Sequence, residues 1–120
     1  MDNIFHVYSR KQAIQDGVLV DVTETAKEAG FRFPVAVTRE VWGKYIVPSD
    51  YDAKRGQDVS GRLWDTLWML RLSSRKGGSN VLFSVIFQML GRETTVQLRA
   101  VVGPGDKGEP VITIMMPDEA

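Results

Sequence analysis

His6 is the only histidine of this 120-residue chain, so a Ser-His-Asp relay would have to draw its base from there. Tyr8 and Ser9 follow closely, but the G-x-S-x-G turn that exposes a serine nucleophile is missing. His6 therefore reads as an ordinary surface or partly packed side chain. Cysteine is absent, which removes thiolate nucleophiles, thiolate metal ligands and disulfides. Asp50 and Asp52 open a stretch that looks like a calcium loop. Its fifth position would be Lys54, its turn position Arg55 and its twelfth position Gly61 in place of glutamate, so the pattern fails. Gly103-Pro104-Gly105-Asp106-Lys107-Gly108 is glycine-rich, but it lacks the spacing and Lys-Ser/Thr ending of a phosphate cradle and leads into an expected strand. It reads as a connection between strands. No metal and no cofactor is expected.

Binding by surface charge is the other chemistry on offer. Arg71, Arg75 and Lys76 gather at the end of the longest expected helix, and Arg99 lies on a strand beyond it. The plain account of the first three is attraction to the carbonyl end of the helix dipole. The functional account is a patch for an acidic protein partner or for RNA, and these four residues form the candidate partner-binding set. Nucleic acid is the less favoured partner: fifteen basic residues balance fifteen acidic ones, and no aromatic platform interleaves the cluster between Ser73 and Asn80. Trp42, Trp64 and Trp68 fall on expected apolar faces and read as core. A tryptophan found exposed would point to an interface, where that residue type is enriched.

The elements that must position these residues follow from caps and periodicity. Ser9-Arg10-Lys11-Gln12 fits a capping box, and Gly17 ends the short helix behind it. Val18-Leu19-Val20 is a strand or an extended lead into a second short helix, capped by Asp21 or Thr23 and stopped by Gly30. Phe31 to Pro34 is an extended hinge, because the residue before proline avoids helical backbone. Thr38 caps a third helix that Pro48 ends, and residues 49–57 read as an exposed loop. From Asp58 or Ser60 to Lys76 runs the strongest helix, with Leu63, Trp64, Leu67, Trp68 and Leu70 in one arc and Arg62, Asp65 and Met69 outside it. Arg71 falls inside that arc and is expected to lay its stem on the core with its head in water.

Val81 to Leu90 reads as a strand, with Gly91-Arg92 as a two-residue turn. That register pairs Phe87 with Val96, Val85 with Leu98 and Phe83 with Ala100. Val111 to Met116 makes a third strand, antiparallel to the second. The expected class is α+β: a three-stranded antiparallel sheet covered on one face by one long helix and short N-terminal helices, in a single domain over residues 1–120. With 43% hydrophobic and 25% charged residues the chain is of ordinary globular composition. It shows no signal-peptide pattern and no membrane span, so a cytoplasmic protein without membrane partners is expected.

The stretch "VYSRKQAIQDGVLVDVTETAKEAGFRFPVAVTREVW", together with "GRLWDTLWMLR" and "AVVGPGDKGEPVITIMMP", resembles a family of short bacterial proteins of unknown function over almost the whole chain. The resemblance brings no catalytic residues with it. It implies the genetic company of plasmids, integrative elements and phage-like islands. That company implies a small non-enzymatic protein-binding module directed at a host or element-encoded complex, in the manner of an anti-CRISPR inhibitor of bacterial defence. The alternative is a small enzyme or ligand-binding protein that uses N-terminal polar residues such as Tyr8, Arg10 and Asp21.

Overall fold

Ser9 begins the first helix as its pattern requires: its hydroxyl accepts from the Gln12 amide and the Gln12 side chain reaches back to the Ser9 amide. A computed structural model describes residues 8–119, so His6 lies outside the described residues. Helix α1 (Arg10–Gln15) is followed by Gly17 in the left-handed region, at φ +77°. Strand β1 (Leu19–Asp21), helix α2 (Thr23–Glu28) and strand β2 (Val35–Thr38) come next. Thr38 accepts from the Val41 amide and caps α3 (Arg39–Val41), which runs on into a wider π turn over Trp42–Ile46. After α4 (Asp50–Ala53), Asp58 accepts from the Gly61 amide and caps α5 (Val59–Ser73). Strands β3 (Asn80–Met89), β4 (Arg92–Pro104) and β5 (Pro110–Met115) complete the described chain.

The class is α+β as expected, but the sheet has five strands in the order β1-β2-β5-β4-β3, where three were expected. Strands β3, β4 and β5 form the antiparallel meander read from the sequence. The missed strand is β2, and β1, which reads as either a strand or an extended lead, has no place in the expected sheet. At three and four residues, β1 and β2 are too short to show alternation, and β2 pairs in parallel with β5, far along the chain. Helices α2 and α5 share one core with the inner sheet face, where Val35, Val37, Leu67, Leu98 and Ile114 are fully buried. Arg10 of α1 instead reaches Thr113, which alternates with the core-facing Ile112 and Ile114 and so lies on the other face. On that outer face Glu119 accepts from Thr38 and the Glu119 carbonyl accepts from Arg99, which folds residues 116–119 over β2, β5 and part of β4. The half made by β3 and β4 stays open.

Two further expectations need correction. The hairpin turns on Leu90-Gly91 and not Gly91-Arg92, so Phe87 faces Thr94, Val85 faces Val96 and Phe83 faces Leu98. The shift is by two residues, which keeps every side chain on its expected face. Leu90 carries φ +52° and Gly91 φ +79°, as a type I′ turn requires of both central residues. A leucine is costly there, and Leu90 is 66% exposed, so Leu90→Asn is expected to stabilise the fold by about 1 kcal/mol. Urea denaturation checks this, and an unchanged or lower midpoint would contradict it.

The second correction concerns residues 49–57. Ser49 caps α4 and brings Asp52 into the interior, where it meets Arg62 of α5 at 3.2 Å. Both side chains are almost fully buried. Arg62 also donates to the carbonyls of Tyr45 (2.9 Å) and Gln88 (2.6 Å), while Asp52 accepts from the Leu90 amide (2.8 Å). The pair thus ties α4, α5 and the β3 hairpin together. Burial pushes the Asp52 carboxyl up, but bonds from Leu90, Ser49 and Arg62 outweigh burial and hold it below its ordinary value. An aspartate spent in this way is no calcium ligand.

Candidate partner-binding groove

Phe31-Arg32-Phe33-Pro34 links the end of α2 to β2 with a bend at Phe33, and Phe31, Arg32 and Phe33 all line one concavity. This is a groove of about 330 Å³ between that segment, the end of α5 and the inner ends of β3, β4 and β5. Its floor is apolar: Leu70, Ala100 and Ile112 are buried, and Val81 and Val102 pack against the same core. Phe33, 40% exposed, stands at the mouth. The charged residues that line the groove are Arg32 and Arg71, and no acidic residue lines it.

Arg71 is held in place. Its Nη1 donates to the Ala29 carbonyl at 3.0 Å, one of the open carbonyls at the end of α2, and its guanidinium lies 5.4 Å from the Trp68 ring. Gly30 makes room for it: a Cβ there would come within 2.7 Å of the Arg71 Cζ, and φ is +99°. An apolar floor under a fixed cation can take an apolar side chain together with an adjacent carboxylate.

The four residues of the candidate partner-binding set are not brought together. Arg71 lines the groove, and Arg75 is exposed on the 3₁₀ turn (Ser74–Lys76) between the groove residues Ser74 and Gly78. Lys76 ends the same turn, and its side chain lies outside the described residues. Arg99 is on the outer face, bonded to the Glu119 carbonyl at 2.6 Å, with the sheet between it and the groove. Of the alternative set, Tyr8 donates to Asp16 (2.6 Å), which pushes its hydroxyl up, and Asp21 accepts from Thr23. Arg10 donates to Thr113 and to the Ile112 carbonyl, both at 2.8 Å. Arg10 and Asp21 do line one shallow concavity. In the glycine-rich connection, the Asp106 carboxylate accepts from the Arg10 and Lys11 amides at the start of α1 and so fastens the loop to that helix.

The tryptophans divide. Trp42 packs half-buried against the core, whereas Trp64 and Trp68 are 38% and 40% exposed and stack on each other at 6.2 Å. Helix α5 is turned on its axis relative to the expected arc, burying Arg62, Leu63, Thr66, Leu67 and Leu70. Among the described residues no group of three or more carboxylate or histidine side chains could hold a metal ion, and no helix is long and apolar enough to cross a membrane. Sequence reasoning missed Phe31, Arg32 and Phe33. Their signal was present as an aromatic pair flanking an arginine before proline, a segment read only as a hinge.

The model of one family, described as "Family of unknown function (DUF6573)", matches residues 1–120. Neither the curated proteins nor the solved structures yield a match to the chain.

Proposed function

We propose, for a chain that belongs to the DUF6573 family of unknown function, a non-enzymatic role in protein binding through the groove beside Arg71. The observation that carries the reading is the union of an apolar floor with a rim whose lining charges are the arginines 32 and 71. Arg75 adds a third cation next to that rim. Arginine is favoured at binding hot spots because its flat, weakly hydrated head tolerates burial and pairs with carboxylates. The occupant is a partner segment that offers an apolar side chain flanked by acidic residues. A host or element-encoded complex of the bacterial defence machinery is the partner class we favour, with occlusion of its surface as the mode of action.

The test is capture from a bacterial lysate with wild-type protein and with Arg32→Glu/Arg75→Glu. Both arginines are exposed. A stoichiometric partner retained by the wild type should be lost or weakened at least about tenfold by the charge reversal. Retention of the same partner by the variant would reject the groove, and turnover of a metabolite by the purified chain would reject the non-enzymatic reading.

A further inference from the structure

Strand β3 forms one edge of the sheet over ten residues, Asn80 to Met89, and has β4 as its one neighbour. The Ser79 carbonyl accepts from the Val102 amide, and this sets the alternation in the ladder. Odd-numbered residues of β3 exchange bonds with β4, so the amides and carbonyls of Leu82, Ser84 and Ile86 point to the open edge, while the Gln88 carbonyl at its far end is taken by Arg62. Natural edge strands are usually blunted by charge, proline or a bulge. This one, Asn-Val-Leu-Phe-Ser-Val-Ile-Phe-Gln-Met, has no charge and no proline, and its register with β4 is unbroken.

Exposed apolar side chains flank the edge on both sides, with Asp65 of α5 lining the cavity between them. On the outer face Leu82 and Ile86 are 56% and 57% exposed. On the helical side Trp64, Trp68 and Leu72 follow one another at intervals of four along α5 and form one exposed stripe. Trp68 lines the same cavity as Ser84 and Ile86, so the midpoint of the stripe lies level with the middle of the strand.

The geometry points to a second copy of this chain as the occupant of the edge, paired antiparallel about a two-fold axis at Ser84. That register sets Leu82 against Ile86 of the copy and Asn80 against Gln88, so apolar meets apolar and amide meets amide. The same axis, passing level with Trp68, sets Trp64 of one helix toward Leu72 of the other. One axis therefore satisfies strand and helix together, which is what a self-complementary two-fold interface demands. The strand itself carries no charge to repel its own copy. The two sheets join into one of ten strands, and the edge disappears. This inference is independent of the groove, which uses other residues apart from the shared contact of Arg71 with Trp68.

Sedimentation analysis of the full chain from low micromolar to sub-millimolar concentration tests it. The wild type should be a dimer, and Ile86→Lys and Trp68→Glu should each raise the dissociation constant at least about tenfold while circular dichroism stays native. Because the chain has no cysteine, single cysteines report the register cleanly. Ser84→Cys should form a disulfide-linked dimer under mild oxidation, since Cα atoms at the axis fall within the roughly 4.4–6.8 Å that a disulfide spans. Gln88→Cys should not, because the two copies of that residue lie more than about 20 Å apart along the strands. A monomer at every concentration, a dimer indifferent to both substitutions, or cross-linking of Gln88→Cys as readily as Ser84→Cys would overturn the proposal. So would a wild-type monomer that takes up an extended peptide of another protein along β3.

Discussion

Truncating Arg62 to alanine is expected to cost about 3–5 kcal/mol of stability, the range found when one partner of a buried ion pair is removed. Arg62 is 2% exposed, and its head joins Asp52 to the carbonyls of Tyr45 and Gln88. The alanine leaves two carbonyls and a carboxylate in the interior with no cation. Urea denaturation should show the loss as a lowered midpoint at unchanged slope, and a loss under about 1 kcal/mol would contradict the account. A pH series should carry the signature of the pair. The Asp52 carboxyl is held below its ordinary value, so its contribution is complete at neutral pH and fades as the pH falls through the folded-state value. In Arg62→Ala, burial is left with fewer opposing bonds and the carboxyl should move upward. The acid-induced loss attributable to Asp52 should then shrink.

Leu67→Ala should destabilise by about 2–5 kcal/mol, because Leu67 is fully buried between α5 and the sheet and its removal leaves a cavity. Trp64→Arg, three residues earlier in the chain, should change stability by less than about 1 kcal/mol. An arginine stem covers much of the same ground, and the tryptophan already meets water. Equal losses from the two substitutions would mean that α5 buries the expected arc after all. If the two chains pair along α5, Trp64→Arg weakens the dimer but leaves monomer stability nearly unchanged. The comparison is therefore best made at low protein concentration.

The contrast between Leu67 and Trp64 shows where the candidate sites were legible. Periodicity placed both on one arc and assigned the tryptophans to the core by hydrophobicity, the ordinary expectation for such side chains. The actual buried arc is rotated because Arg62 has partners inside, at Asp52 and two carbonyls, that helical spacing does not reveal. Thr66 turns inward as well, its hydroxyl donating to the Arg62 carbonyl within the helix. Once those two are buried, Trp64 and Trp68 must face outward. The groove was hidden for a different reason. Its wall comes from a pre-proline segment, a helix end and three strand ends that are scattered through the chain. Of the residues read as a binding set, Arg71 lines the groove, Arg75 is exposed on the turn that follows α5, and Arg99 went to the opposite face.

Local chemistry was readable from the residues alone. The capping box at Ser9, the cap at Thr38, the start of α5 near Asp58 or Ser60, the left-handed glycine after α1 and the alternation of faces in the β3–β4 hairpin all depend on interactions within a few residues or on a period of two. Only the folded chain decided the pairing of β2 with β5, the burial of Asp52 against Arg62, the rotation of α5 and the open edge of β3. Each depends on which distant segment arrives as neighbour. Hydrogen bonding and burial act through space, and a single sequence records spacing along the chain but not those meetings.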